Sequence, residues 1–133
     1  MKVRELMNEK PATLTAQASL ADALDLMAKQ KLRHVVILDG LGLPVGIVSD
    51  RDLAMVYDPA AISDGRWKQT KVDQVMTPDP ITVGSGAEVQ AVAKLLLQHA
   101  VSALPVVDNG QLVGILSEKD FVRYFARPNA RGD

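Results

Sequence analysis

One octapeptide is written twice in this chain: GIVSDRDL begins at Gly46, and GILSEKDF begins at Gly114. The likeness extends upstream. A shift of 69 positions lays VRELMNEKPATLT, from Val3, on VDQVMTPDPITVG, from Val72, so that Met7 meets Met76 and Pro11 meets Pro80. Thr13 meets Thr82, and His34–Asp39 meets Ala103–Asp108; the offset then falls to 68. The single gap lies in a turn, where a change of length costs least. Such a duplication limits the fold more than any composition does, because each half must be able to form the same unit.

Each half reads as β-α-β-β-α. ATL and ITV, each after a proline, read as short strands. Apolar residues at 20, 23, 24 and 27, and again at 89, 92, 93 and 96, trace the stripe of a half-buried helix. Ser19 can cap the first of these helices, whereas Glu88, in the same place of the second, caps less well. VVIL and PVVD read as strands, then Asp39-Gly40 and Asn109-Gly110 as hairpin turns that favour positive φ. PVGIVS and LVGILS return, and DRDLAMVY and EKDFVRYF begin closing helices. The expected division is repeat one at 1–57, a linker at 58–71, repeat two at 72–127 and a tail at 128–133. Trp67, the only tryptophan, falls in that linker and reads as an anchor folded onto the body, with a partner contact as the alternative. The Arg-Gly-Asp ending matches an adhesion tripeptide by chance.

The 133 residues are 47% hydrophobic with a formal net charge of −1, a composition for one soluble module with a core. A general nucleic-acid binder needs a basic surface, so that class is set aside. Without cysteine there are no disulfides and no thiolate chemistry. The start lacks the apolar run of a signal peptide, and no stretch is long enough to span a bilayer, so the expected location is cytoplasmic.

The repeated serine and aspartate invite two readings. Ser49 and Ser117 stand before a helix with Asp52 and Asp120 three residues later, the spacing of a capping box. The same place, a strand end opening a helix, also offers free N–H groups to a polar ligand. A carboxylate there can accept bonds from both hydroxyls of a ribose. Ile47 and Val48, or Ile115 and Leu116, would wall an apolar slot for the base.

The β-α-β-β-α unit, the M-x-x-x-P-x-T opening, the LPVVD strand at Leu104–Asp108 and the G-h-h-S-x-x-D ending resemble cystathionine-β-synthase-type (CBS) domains. Two in tandem resemble a CBS pair, or Bateman module, and the resemblance runs from Val3 to Phe125. It implies an α/β (α+β) fold of two CBS repeats related by a pseudo-twofold axis in one compact module. It also implies clefts for an adenosine compound: AMP, ADP, ATP, S-adenosylmethionine or a dinucleotide. By match to the motif, Asp52 and Asp120 would take ribose hydroxyls, and Ser49 and Ser117 ribose or phosphate. Thr13 and Thr82 would line the base pocket, and Arg33 and His34 would meet phosphates. Simple surface exposure is the other reading of His34. Repeat two departs from this pattern, with Ser102 and Ala103 at the places of Arg33 and His34, so the two clefts should not hold phosphates equally.

No nucleophile with its base, P-loop or dinucleotide fingerprint is present, which argues against an enzyme. The histidines lack metal-ligand spacing, and Asp50 with Asp52 could hold Mg²⁺ only beside a ligand's phosphates. The expectation is a regulatory sensor that requires no cofactor, takes an adenine nucleotide or S-adenosylmethionine as its regulatory ligand, forms a homodimer and signals to a protein partner. A ligand-free dimerisation or docking scaffold is the alternative.

Overall fold

Apolar residues three and four apart press one side of Leu20–Gln30 and of Val89–His99 against strands. Both segments are helices in the computed structural model of the chain, which describes residues 1–128. The elements are β1 (Thr13–Thr15), α1 (Leu20–Gln30), β2 (His34–Leu38), β3 (Pro44–Ser49), α2 (Asp50–Met55), α3 (Pro59–Ser63), α4 (Arg66–Gln69), β4 (Thr77–Pro78), α5 (Val89–His99), β5 (Ala103–Asp108), β6 (Gln111–Ser117) and α6 (Glu118–Ala126). Short 3-10 turns at Val3–Glu5 and Val72–Gln74 open the two repeats. The Arg-Gly-Asp ending lies outside the described residues.

The chain forms two compact units, Pro11–Pro80, and Met1–Lys10 with everything from Ile81 onward. In the first, the strand order is β1-β2-β3-β4, with β1 parallel to β2 and the other pairs antiparallel. Its core joins Leu20, Ala23 and Met27 of α1 to Val35, Ile37 and Val48 of the sheet and Leu53 of α2. In the second, the β5–β6 hairpin is flanked by two single bridges, Val83 parallel to Val106 and Asn8 antiparallel to Ile115. Its core holds Val92, Leu96, Leu104, Val106 and Leu116.

The repeats exchange their openings. Val72, Val75 and Met76 pack into the core of Pro11–Pro80, while Val3, Leu6 and Met7 pack into the other. The repeated methionine and the repeated glycine are partners in this exchange. A Cβ on Gly46 would meet Met76 Sδ, and a Cβ on Gly114 would lie 2.7 Å from Met7 Sδ. Glycine recurs in the octapeptide because a methionine crosses the strand there.

Three local expectations change. ITV forms no strand: only Val83 bridges, through Val83 N–H to the Pro105 carbonyl (3.2 Å) and Val107 N–H to the Val83 carbonyl (2.8 Å). The first hairpin does not turn on positive φ at Asp39-Gly40. There the Asp39 carboxylate accepts from Leu41 N–H (2.8 Å) and Leu43 N–H (2.9 Å), and the left-handed residue is Gly42, φ 82°. The extra residue of repeat one makes this side-chain-closed loop feasible. The second turn does use Asn109 (φ 52°) and Gly110 (φ 76°), the tight two-residue solution. Within 58–71, α3 and α4 form, and Trp67 is buried in the core beside Leu20 and Met27. Leu24, on the predicted apolar stripe, is 43% exposed.

Capping follows the residue chemistry. Ser19 accepts from Asp22 N–H at 3.0 Å and Asp22 returns the bond, while Glu88 makes no side-chain cap bond and holds Lys2 Nζ at 2.7 Å. Asp108 ties the loop before α5 to β5, accepting from Ser85 N–H (2.9 Å) and from the Ser85 hydroxyl. Those bonds hold its carboxyl below its ordinary value of 3.8. A depressed folded pKa gives stability that is complete above the ordinary value and is lost as pH falls through the folded one. The gap in thermal midpoint between the wild type and Asp108→Asn should therefore narrow as pH is lowered through the carboxylate range. A gap constant with pH would show that this carboxylate's charge contributes nothing.

Candidate ligand site

Each unit has a candidate site of its own, beginning where β3 or β6 runs into a helix. At Ser49 the hydroxyl accepts from Asp52 N–H (3.0 Å), and Asp52 Oδ2 accepts from Ser49 N–H (2.8 Å). At Ser117, Asp120 Oδ2 accepts from the backbone N–H (2.8 Å) and from the hydroxyl (3.2 Å). Capping is thus realised at both ends. It occupies Oδ2 of each carboxylate, so capping and a ligand contact through Oδ1 are compatible.

Strand register collects the other candidates. His34 lies opposite Ser49, Val36 opposite Ile47, and Thr13 of β1 opposite Val36. Residues two apart along a strand share a face, and so do cross-strand partners. Thr13, His34, Ile47 and Ser49 therefore share one face, opposite the Val35, Ile37 and Val48 face packed on the helices. Asp50 N–H donates to the Arg33 carbonyl at 2.9 Å, which places Arg33 at the same end as Ser49 and Asp52. The Arg33 guanidinium lies 3.9 Å from Asp50, both well exposed, an ion pair that contributes little.

In the other unit, Ala103 pairs with Ser117 and Pro105 with Ile115, the same register. Thr82 is the exception: it is exposed and lies outside any strand. The two aspartates also differ. Asp120 is 8% exposed, with Arg123 Nη1 at 3.8 Å from its Oδ1, whereas Asp52 is half-buried. Ile47 and Ile115 are buried yet belong to neither helix-packed core.

Reading the repeats one at a time missed the residues beside these strands. Thr77 of β4 pairs with Ile47, and Asn8 bridges Ile115, each supplied by the opening of the other repeat. The signal was the methionine recurring one residue before both. Within Pro11–Pro80 the strand ends bring hydroxyls, carboxylates, an imidazole and a guanidinium beside Ile47, groups whose chemistry suits hydrogen bonds to a diol and to an anion. Among the described residues, no cluster of three or more His, Asp or Glu could hold a metal, and no helix is long and apolar enough to cross a membrane.

Comparison with known proteins bears on the family and the fold. A family model described as CBS domain matches residues 3–58 and again 72–127. The chain is 33% identical over 122 residues to a homoserine O-acetyltransferase of Methanococcoides burtonii, covering 91% of this chain and 23% of that enzyme. It spans about a quarter of the length of the first curated relatives that it matches. Among solved structures, the CBS domain pair of protein MJ0100, in complex with 5-methylthioadenosine and S-adenosyl-L-methionine, is 27% identical. It superposes with a TM-score of 0.79 over 94% of this chain and 95% of that one. CBSX2 in complex with AMP is 30% identical, with a TM-score of 0.77 over 93% and 95% of the two chains. With a family match over both halves and the exchanged β-α-β-β-α units behind it, the chain belongs to the CBS domain family and carries two such domains in tandem.

Proposed function

We propose that this chain is a regulatory module that senses a phosphorylated adenosine ligand, and that the tighter site is the one carrying Asp52. The observation behind this is the register that gathers Arg33, His34, Ser49 and half-buried Asp52 at one sheet end, with Thr13 and Ile47 on the same face. Asp52 Oδ1 would accept from ribose hydroxyls, Ser49 would touch ribose or phosphate, and Arg33 with His34 would take phosphate. The site of Ile115, Ser117 and Asp120, which strand register does not join to Thr82, is the weaker. Uncharged Ser102 and Ala103 replace the basic pair there, and Arg123 already faces Asp120. The compounds bound to MJ0100 and CBSX2 support an adenosine ligand, and of these only the AMP of CBSX2 carries a phosphate. Binding acts by differential affinity for two states, and the signal passes to a partner protein or through a homodimer.

The test is thermal unfolding with AMP, ATP and S-adenosylmethionine, with guanosine nucleotides as controls. A ligand at about 100 times its Kd stabilises by about 2.7 kcal/mol, a shift of several degrees for a domain of this size. Asp52→Asn keeps a capping side chain but loses the charge-assisted bond. It should abolish most of the shift with basal stability nearly intact, and Asp120→Asn should leave the shift in place. Two equal, independent sites in a titration would reject the asymmetry. No shift with any adenosine ligand would favour the scaffold, whose capping boxes are complete without a ligand.

A further inference from the structure

Within Pro11–Pro80, an open cavity of about 210 Å³ lies between α1, α2 and α4. Leu24, Met27 and Leu53 form an aliphatic wall, and Tyr57 and Trp67 an aromatic one. The two rings stand nearly perpendicular, at 83° with centroids 6.4 Å apart, so they make two sides of a corner. Trp67 is buried, whereas Tyr57, resting against it, is 61% exposed. Among the described residues, Asp50 is the one charged residue on this lining. Its carboxylate accepts from Arg51 N–H at 2.8 Å and lies 3.9 Å from Arg33, an ion pair too exposed to neutralise it. Arg66, the neighbour of Trp67, is held by Asp64 at 2.8 Å and by Asp58 at 3.5 Å.

The tryptophan wall is not part of the repeated unit. α4 lies between residues 3–58 and 72–127, the two segments that the CBS domain model matches, and neither segment carries a tryptophan. The cavity therefore belongs to this chain and not to what its two domains share.

The lining selects by charge and by hydrogen bonding. An aromatic ring attracts a cation within about 6 Å of its centroid, and a carboxylate beside it adds to the attraction. A primary ammonium or a guanidinium would bring N–H donors among aliphatic side chains, where those left unbonded are costly. A quaternary ammonium has no N–H to satisfy and offers methyl groups to the leucines and Met27. The volume falls below the roughly 300 Å³ at which pockets for drug-sized ligands begin, so the occupant is small. We propose that this cavity binds a small quaternary ammonium compound, its methylated nitrogen seated against Tyr57 and Trp67 and near Asp50. None of Thr13, Ile47, Ser49 and Asp52 lines it, so the proposal stands whether or not an adenosine ligand binds.

Trp67 is the only tryptophan, so its fluorescence reports from the cavity itself. Choline, titrated at constant ionic strength, should change that fluorescence saturably. Dimethylbutanol, the neutral analogue with carbon in place of nitrogen, should bind about tenfold more weakly, since it lacks the charge that the rings and the carboxylate attract. Tyr57→Phe keeps the ring and should bind choline as the wild type does, whereas Tyr57→Leu should bind it about fivefold more weakly. Asp50→Asn should weaken choline about threefold and leave dimethylbutanol unchanged. Equal binding of choline and its neutral analogue by the wild type would overturn the proposal, as it would show an apolar cavity blind to charge. So would the absence of any saturable change with choline, or undiminished choline binding by Tyr57→Leu. The comparison of the two compounds needs no variant, so a variant that fails to fold leaves the proposal open to refutation.

Discussion

Trp67→Ala should lose about 3 kcal/mol of stability, read as a lowered urea midpoint with an unchanged slope. Trp67 is 5% exposed and packs in the core of Pro11–Pro80, with its ring edge-on to Tyr57 at a centroid distance of 6.4 Å. Truncating a buried tryptophan costs about 3–5 kcal/mol. The open cavity on one side of the ring means fewer contacts to lose, which sets the expectation at the low end. Set against a total of about 5–15 kcal/mol for a typical domain, the loss is large. Trp67→Phe should recover more than half of it, since an aromatic ring still fills the contact with α1. A loss under about 1 kcal/mol would mean that the ring contributes little to the core and that its role is contact with a partner.

Gly114→Ala should cost about 2–3 kcal/mol, and Gly46→Ala about 1 kcal/mol less. The difference lies in what each new Cβ meets. At Gly46 the three nearest atoms all belong to the Met76 side chain, which can swing away. At Gly114 the Asn8 carbonyl oxygen stands 2.8 Å away, as close as the Met7 sulfur, and that is backbone. Asn8 is also held by two hydrogen bonds to Ile115, 2.9 and 3.0 Å, so relief means breaking the bridge. Double-mutant cycles separate the two cases. Met76→Ala should rescue most of the Gly46→Ala loss, whereas Met7→Ala should rescue only part of the Gly114→Ala loss. Equal losses at the two glycines, or full rescue by Met7→Ala, would refute the exchange of openings as the reason for the repeated glycine.

Much of the molecule is legible without coordinates because its determinants are local. The period of three and four locates α1 and α5, and the serine-x-x-aspartate spacing places the starts of α2 and α6. Asn109-Gly110 specifies its turn because both residues tolerate positive φ. The same logic fails at Asp39-Gly40, where one extra residue lets a carboxylate close the loop instead. It fails at Thr82 as well: strand character in three residues is too weak to hold without a partner along its whole length. Of the candidate ligand residues, Ser49 and Asp52 were legible as a motif, and Arg33 through the resemblance to the CBS family. Their common end with His34, and the shared face with Thr13, follow from strand register, which no local signal states.

What the sequence determined alone is the duplicated unit, its helices and caps, and the unequal charge of its two strand starts. Tertiary structure alone decided which opening covers which strand. The repeat places a methionine before each unit and a glycine within each, and either methionine could serve either glycine with equal local chemistry. Only packing distinguishes them: Met7 lies on Gly114 and Met76 on Gly46, so each unit takes its opening from the other repeat.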